Sequence, residues 1–202
     1  MESELSEHRE FFLIRDGELL MRRWTRDDID RIALWSGYPP PYDIYNVEFS
    51  KIEKGTIDSF FAARQKQSGV ITLVIDHENS KSVGAIAMFD FDRQKKSVGN
   101  IGVRIAPDWC DKGIGSRFLK VVSERCFESG IETIRLDAAS WNTRAIKCYE
   151  KAGFNLTGEF FYKEAEYLDS EKLSGEYSCI AGHAIFENGA WSVRHEWLER
   201  KK

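Results

Sequence analysis

The chain has 202 residues, 42% of them hydrophobic and 13% aromatic, which is enough to fill the core of a soluble globular domain and excludes a disordered tail protein. Its 29 basic and 33 acidic residues leave a net charge of −4, so there is no basic excess to displace counterions from a nucleic acid, and no apolar run approaches the roughly 18–20 residues that cross a bilayer. Cys110, Cys126, Cys148 and Cys179 form no C-x-x-C pair, and the opening residues lack the basic-then-apolar pattern of an export signal, so a reduced, cytoplasmic protein is expected.

Residues 18–24 read as a first strand. Thr25 then caps a helix with Asp27 and Asp28 in its first turn and Ile29, Ile32, Ala33 and Leu34 as its apolar stripe. That helix must stop by Gly37, because Pro39, Pro40 and Pro41 follow and remove backbone donors. A second helix is expected over 57–65. Two β-rich runs, 70–75 and 83–89, flank the turn-prone 77–82, and a third run, 97–105, follows the polar turn 92–96; together they predict an antiparallel meander. Pro107 ends the third run, and a helix begins at Gly113 with Ile114, Phe118, Val122 and Cys126 recurring every fourth residue until Gly130. A strand over 131–136, a helix from Asn142 to Gly153 and a strand over 154–162 complete an alternating order. The acidic stretch 164–176 reads as mobile, and 177–186 and 190–197 as closing strands around Glu187-Asn-Gly. With no repeat, linker or low-complexity tract, a single domain over 1–202 is expected.

The segment 101–116 feeds a strand through a short turn into a helix with glycines at 113 and 115. Unpaired amides at a helix start carry partial positive charge, and glycines let an anion's oxygens approach the backbone, so a phosphate fits there. Taken alone, such a pair can equally serve to ease a tight turn. A dinucleotide fingerprint would need a third glycine where Phe118 stands, and a P-loop would need Gly-Lys-Ser/Thr, whereas Lys112 precedes the glycine. Downstream, Asn142, Ala145, Tyr149 and Gly153 fall at helical intervals, which by themselves describe a capped amphipathic helix.

A Lys-Gly-x-Gly helix start followed some thirty residues later by Asn-x-x-Ala-x-x-x-Tyr-x-x-x-Gly-Phe resembles the acetyl-CoA-binding core of the GNAT superfamily of N-acetyltransferases, most closely the branch that acetylates ribosomal-protein N-termini and small amines. The resemblance implies an α/β (α+β) fold, a mixed, mostly antiparallel central sheet flanked by helices and splayed at the acetyl-CoA site, with its coenzyme-binding core over about 97–163. It implies that Ile101, Val103 and Ile105 run beside the pantetheine arm, that Lys112, Gly113, Ile114, Gly115 and Ser116 hold the pyrophosphate, and that Asn142, Ala145 and Tyr149 lie beside the thioester. Cations such as Lys112, Arg117 and Lys147 would supply a local field that a protein of net charge −4 lacks overall. Where the family usually has Arg or Gln and often Gly before the first of these glycines, this chain has Cys110 and Asp111, and a carboxylate near a pyrophosphate is repulsive unless it turns away.

Amine acetylation needs a neutral amine, a polarised carbonyl and a proton donor for the departing thiolate. A tyrosine, titrating near pH 10, stays protonated at neutral pH, so Tyr149 is the expected general acid, with Asn142 beside it. Relatives often carry a glutamate where this chain has Asn100, which cannot accept a proton; Asp137 and Glu48 are the carboxylates to test as base. Lacking an evident strong base, the chain is expected to favour an α-amine, which is far more often neutral at pH 7 than a lysine amine. The acceptor, a peptide N-terminus or a small amine, is expected beside the proline-rich loop, where Trp35, Tyr38 and Tyr42 offer an apolar wall and Asp43 and Asp137 attract a cation. The resemblance also implies acetyl-CoA as co-substrate, no metal, no nucleic acid or membrane partner, and a monomer or homodimer. His195 reads as structural; Cys110 is the thiol nearest a helix start that would lower its pKa, yet a half-buried, inert cysteine is the expectation. A catalytically inactive CoA-binding module is the alternative that Asn100, Cys110 and Asp111 leave open.

Overall fold

In a computed structural model that describes residues 12–45 and 49–202, two five-stranded sheets share one hydrophobic core. The first sheet holds β1 (Ile14–Asp16), β2 (Leu19–Arg23), β3 (Ile71–His77), β4 (Ser80–Phe89) and β6 (Asn100–Ile105), in that order and antiparallel throughout. The second runs β5 (Ser97–Val98), β7 (Thr133–Ala139), β10 (Ala190–Lys201), β8 (Asn155–Glu164), with β9 (Ala184–Glu187) also pairing β10. Helices α1 (Arg26–Ile32), α2 (Lys54–Lys66), α3 (Ile114–Glu128), α4 (Thr143–Lys151) and α5 (Ser170–Ser174) connect them. The mixed, mostly antiparallel sheet flanked by helices is the architecture that the resemblance implies.

Local chemistry explains most boundaries. Thr25 and Asp28 form a reciprocal capping box that starts α1. On α3, Phe118, Leu119, Val122 and Cys126 are fully buried and weld the helix to both sheets. Asn142 Oδ1 accepts from the Ala145 amide at 3.0 Å and caps α4.

Three sequence expectations are corrected. Residues 97–105 do not form one strand: β5 pairs in parallel with β7 through Ser97↔Thr133 and Val98↔Ile134, while β6 pairs with β4, so the chain changes sheets at Gly99. Val98 and Ile101 are both buried, and the break lets each half keep its apolar side chain in the common core while the sheets diverge. The acidic stretch 164–176 is folded, with Ala165, Leu168 and Leu173 buried in a second cluster with Trp141 and Val193, and Asp169 capping α5 through the Lys172 amide at 2.8 Å. Its apolar residues are diluted by acidic ones at exposed positions, which hides the pattern in the sequence. Residues 177–183 are likewise no strand but a 3-10 turn over Ser178–His183, because Tyr177 and Ile180, three apart, both drop into that cluster.

Candidate active site

β6 ends the first sheet, so among the described residues its outer edge has no strand partner, and the divergence between β6 and β7 opens a cavity of about 530 Å3. Ile101, Val103 and Ile105 of β6 lie along one wall, Asp137, Ala138 and Ala139 of β7 along the other. The base is the start of α3, with Gly113, Ile114, Gly115 and Ser116, and the far side is α4, with Asn142, Ala145 and Tyr149. Of the coenzyme residues named from the sequence, only Lys112 is absent from this wall: its ammonium rests over the Trp109 ring at 4.5 Å.

The glycine loop has the shape an anion requires. Asp111 and Gly113 take positive φ, 60° and 74°, so successive amides turn toward the α3 start, and a side chain at 113 would strain that backbone. At Gly115 a Cβ would stand 3.1 Å from Cys148 Sγ, so the glycine lets α4 close against α3 and completes the pocket floor. The amides therefore fit a pyrophosphate, and Lys147 and Lys151, one turn apart on α4, both reach the wall. Arg117 does not contribute the expected field: it binds Asp16, both side chain and carbonyl oxygen, and Glu18.

Opposite the loop lies a hydrogen-bonded network that the sequence does not announce. Asp137 accepts from Asn100 Nδ2 at 2.6 Å through one oxygen, and its other oxygen stands 2.6 Å from His195 Nδ1. Burial alone would raise the Asp137 carboxyl, but the His195 and Asn100 hydrogen bonds outweigh it and hold the group below its ordinary value. With Nδ1 directed at a carboxylate, Nε2 is the ring nitrogen left for other chemistry, and His195 lines the cavity. His195, expected as structural, stands on the cavity wall and packs on Phe161. No local signal could have found it, since it lies 58 residues from Asp137 and reaches it only through β10–β7 pairing. Asn100, no base itself, donates to Asp137 and helps to fix its carboxylate. Glu48 lies outside the described residues.

The proposed acceptor residues divide. Tyr38 and Tyr42 line the cavity, Tyr38 donating to the Ile105 carbonyl at 2.5 Å. Trp35 does not: its indole donates to the Ser82 carbonyl at 2.9 Å and faces a separate cleft with Arg31 and Lys81. Asp43 is also turned away, accepting from the Tyr177 hydroxyl at 2.6 Å, and this bond pushes the Tyr177 phenol up to about 12. Trp35 is drawn off by the rim of the first sheet and Asp43 by the second core cluster. Cys110 is half-buried and burial raises its pKa despite the nearby helix start, in keeping with an inert thiol; burial likewise pushes Cys148 up to about 11.

Among the described residues no helix is long and apolar enough to cross a membrane. The acetyltransferase (GNAT) family profile matches residues 33–154. A curated relative, the thialysine N-epsilon-acetyltransferase of Sus scrofa, is 32% identical over 75 residues, 37% of this chain and 41% of that protein. The match therefore spans less than half of that relative's length. In fold, the chain is similar to the spermidine N-acetyltransferase of Vibrio cholerae solved with CoA and spermine, at TM-score 0.65 and 15% identity over 92% of this chain and 96% of that one. A dodecameric structure of the Vibrio cholerae enzyme matches at TM-score 0.61 and 15% identity, covering 92% and 95%. With the family profile spanning more than half of the chain, the glycine loop at the α3 start and the splayed sheet beside it are those of a member of the GNAT acetyltransferase family.

Proposed function

We propose that the protein transfers the acetyl group of acetyl-CoA to a primary amine while both substrates are bound, and that residues 1–202 act as one catalytic domain. The observation that carries this reading is the meeting, in one cavity, of an anion-accepting helix start, an unpaired strand edge, a buried tyrosine and a carboxylate-held histidine. The pantetheine arm would pair with the free edge of β6, and the pyrophosphate would rest on the amides of 113–116 with Lys147 and Lys151 beside it. Backbone amides hold most of that cradle, so Cys110 and Asp111 weaken it little. Names of relatives that refer to thialysine and spermidine support a small amine over a peptide N-terminus as acceptor.

In the transfer, the amine nitrogen forms a bond to the thioester carbonyl carbon and the C–S bond breaks. His195 Nε2 takes the proton lost by the amine, with Asp137 stabilising the imidazolium that forms. Tyr149 donates its phenolic proton to the thiolate as it leaves, a transfer that is only slightly uphill between groups near 10 and about 8.5, and proton exchange with water then restores the tyrosine and the neutral histidine. Asn142 positions the start of α4, since its amide oxygen is occupied by the cap.

Release of CoA thiol from acetyl-CoA, followed across a panel of small amines and N-terminal peptides, tests the reading. Turnover on at least one amine is expected, with Tyr149→Phe at least tenfold slower and acetyl-CoA affinity by calorimetry nearly unchanged. Tight acetyl-CoA binding without thiol release for any amine would instead establish the inactive module.

A further inference from the structure

Five cations line the cavity: Arg104, Arg144, Lys147, Lys151 and Lys163. None makes a salt bridge with a described carboxylate, and among the described residues the acids on the wall are Asp111 and Asp137, the second already held by Asn100 and His195. Arg144, Lys147 and Lys151 project from α4 beside the glycine loop, where the coenzyme phosphates account for them. Arg104 has no such account. It sits on β6, two pleats from Asn100 and on the same face of the strand, whereas Ile101 points into the core. Its guanidinium lies 5.7 Å from the Trp35 ring, and its Nε is buried without a hydrogen-bond partner. The nearby Tyr38 hydroxyl gives its own proton to the Ile105 carbonyl.

The contrast with Arg22 shows how this fold encloses an arginine for structure. Arg22 is gripped by the buried carboxylates of Asp28 and Asp76 at 2.8 and 2.9 Å. Arg104 is partly buried with no carboxylate paired to it among the described residues, and burial pulls its pKa below the ordinary value. A desolvated guanidinium whose polar neighbour is the Tyr38 phenol and whose Nε has no partner is costly unless a ligand supplies the anion, and a planar carboxylate is the group that fits the fork.

Resting on the acetyl-transfer reading, we propose that Arg104 receives a carboxylate of the acceptor, so that the acceptor class is a small amino acid whose reacting amine lies several bonds from its carboxylate. Four residues of strand, about 13 Å, separate Arg104 from Asn100, and the arginine's own reach shortens that gap to the span of a diamino-acid side chain. The same wall disfavours polyamines, which would bring further positive charge among unpaired cations. The expectation that a cation is attracted by Asp43 is replaced by its opposite, since that carboxylate faces Tyr177 outside the cavity.

The test measures thiol release with lysine, ornithine, their carboxamides, and the decarboxylated diamines cadaverine and putrescine. The proposal expects kcat/KM for the free carboxylates to exceed that of both neutralised and decarboxylated partners at least tenfold. Arg104→Gln should shrink that ratio at least tenfold through KM, and Arg104→Lys should restore part of it, with an acetyl-CoA thermal shift showing that each variant is folded. Equal or better use of the diamines, or a ratio unmoved in Arg104→Gln, overturns this assignment while leaving acetyl transfer intact. Absence of thiol release from every amine overturns both.

Discussion

At the scale of single residues, the site separates groups that titrate from groups that only orient. Asp137 is held below the ordinary carboxylate range, so it is a poor base in its own right and a good partner for a histidine that gains charge. If His195 removes the amine proton, His195→Gln should lower kcat at least about a hundredfold at neutral pH, because glutamine cannot accept a proton. Asp137→Asn should also slow turnover while acetyl-CoA binding by calorimetry remains. Turnover close to the parent's in His195→Gln would return the base to another group. Tyr149 was legible from its motif alone, three residues past Ile146 on a helix opened by Asn142. His195 was not, because a histidine becomes a base through the carboxylate it meets in space, and Asp137 meets it across two strands.

At the scale of elements, the cavity depends on two local events. One is the capped start of α4, which sets Tyr149 and the cations Arg144, Lys147 and Lys151 against the loop. Asn142→Ala should destabilise the fold by about 1 kcal/mol in urea titration, and Asn142→Asp, which keeps the accepting oxygen, should lose much less. Equal losses in both would show that the cap is not what Asn142 supplies. The other event is the change of sheets between Val98 and Asn100. The helix periods, the caps and the glycine stops were all readable, since each depends on neighbours three or four residues away. The split strand was not, because 97–105 alternates as one run and only competition between β4 and β7 for its two halves divides it. Tyr177 and Ile180 were misread for the same reason: their period became decisive only once Trp141 and Val193 stood beneath them.

At the scale of the whole molecule, the first sheet is anchored by a buried ionic cluster away from the cavity. Arg22 binds Asp28 through both terminal nitrogens at 2.8 Å, Ser82 Oγ adds a bond to Asp28 at 2.7 Å, and the Ser82 amide donates to Asp76 at 2.8 Å. Burial alone would raise the Asp28 carboxyl; Arg22, the Thr25 amide and Ser82 outweigh it and hold it well below its ordinary value. A carboxyl lowered in the folded state contributes stability above the unfolded value near 3.8, and that contribution is lost as pH falls through the folded value. Stability measured by denaturant should therefore be level toward neutral pH and decline below about pH 4. Arg22→Met, which leaves buried Asp28 with Arg31 and buried Asp76 with Lys81 as their remaining, more exposed cations, should cost about 3 kcal/mol. A cost near zero would mean that the carboxylates take up protons or water instead.

The amino-acid sequence by itself determined the family-bearing parts: the glycine loop, the α4 motif and the alternation of strands and helices around them. These are contacts within one or two turns of chain, where spacing fixes geometry. Only the tertiary structure decided which charges face the substrate. Of the groups expected to be there, Asp43, Trp35, Lys112 and Arg117 are engaged elsewhere, and His195, Arg104 and Lys163 take their places on the wall. A side chain's charge is written in the sequence, but its partner is chosen by packing between segments tens of residues apart, and the partner decides whether that charge is neutralised or left for a ligand.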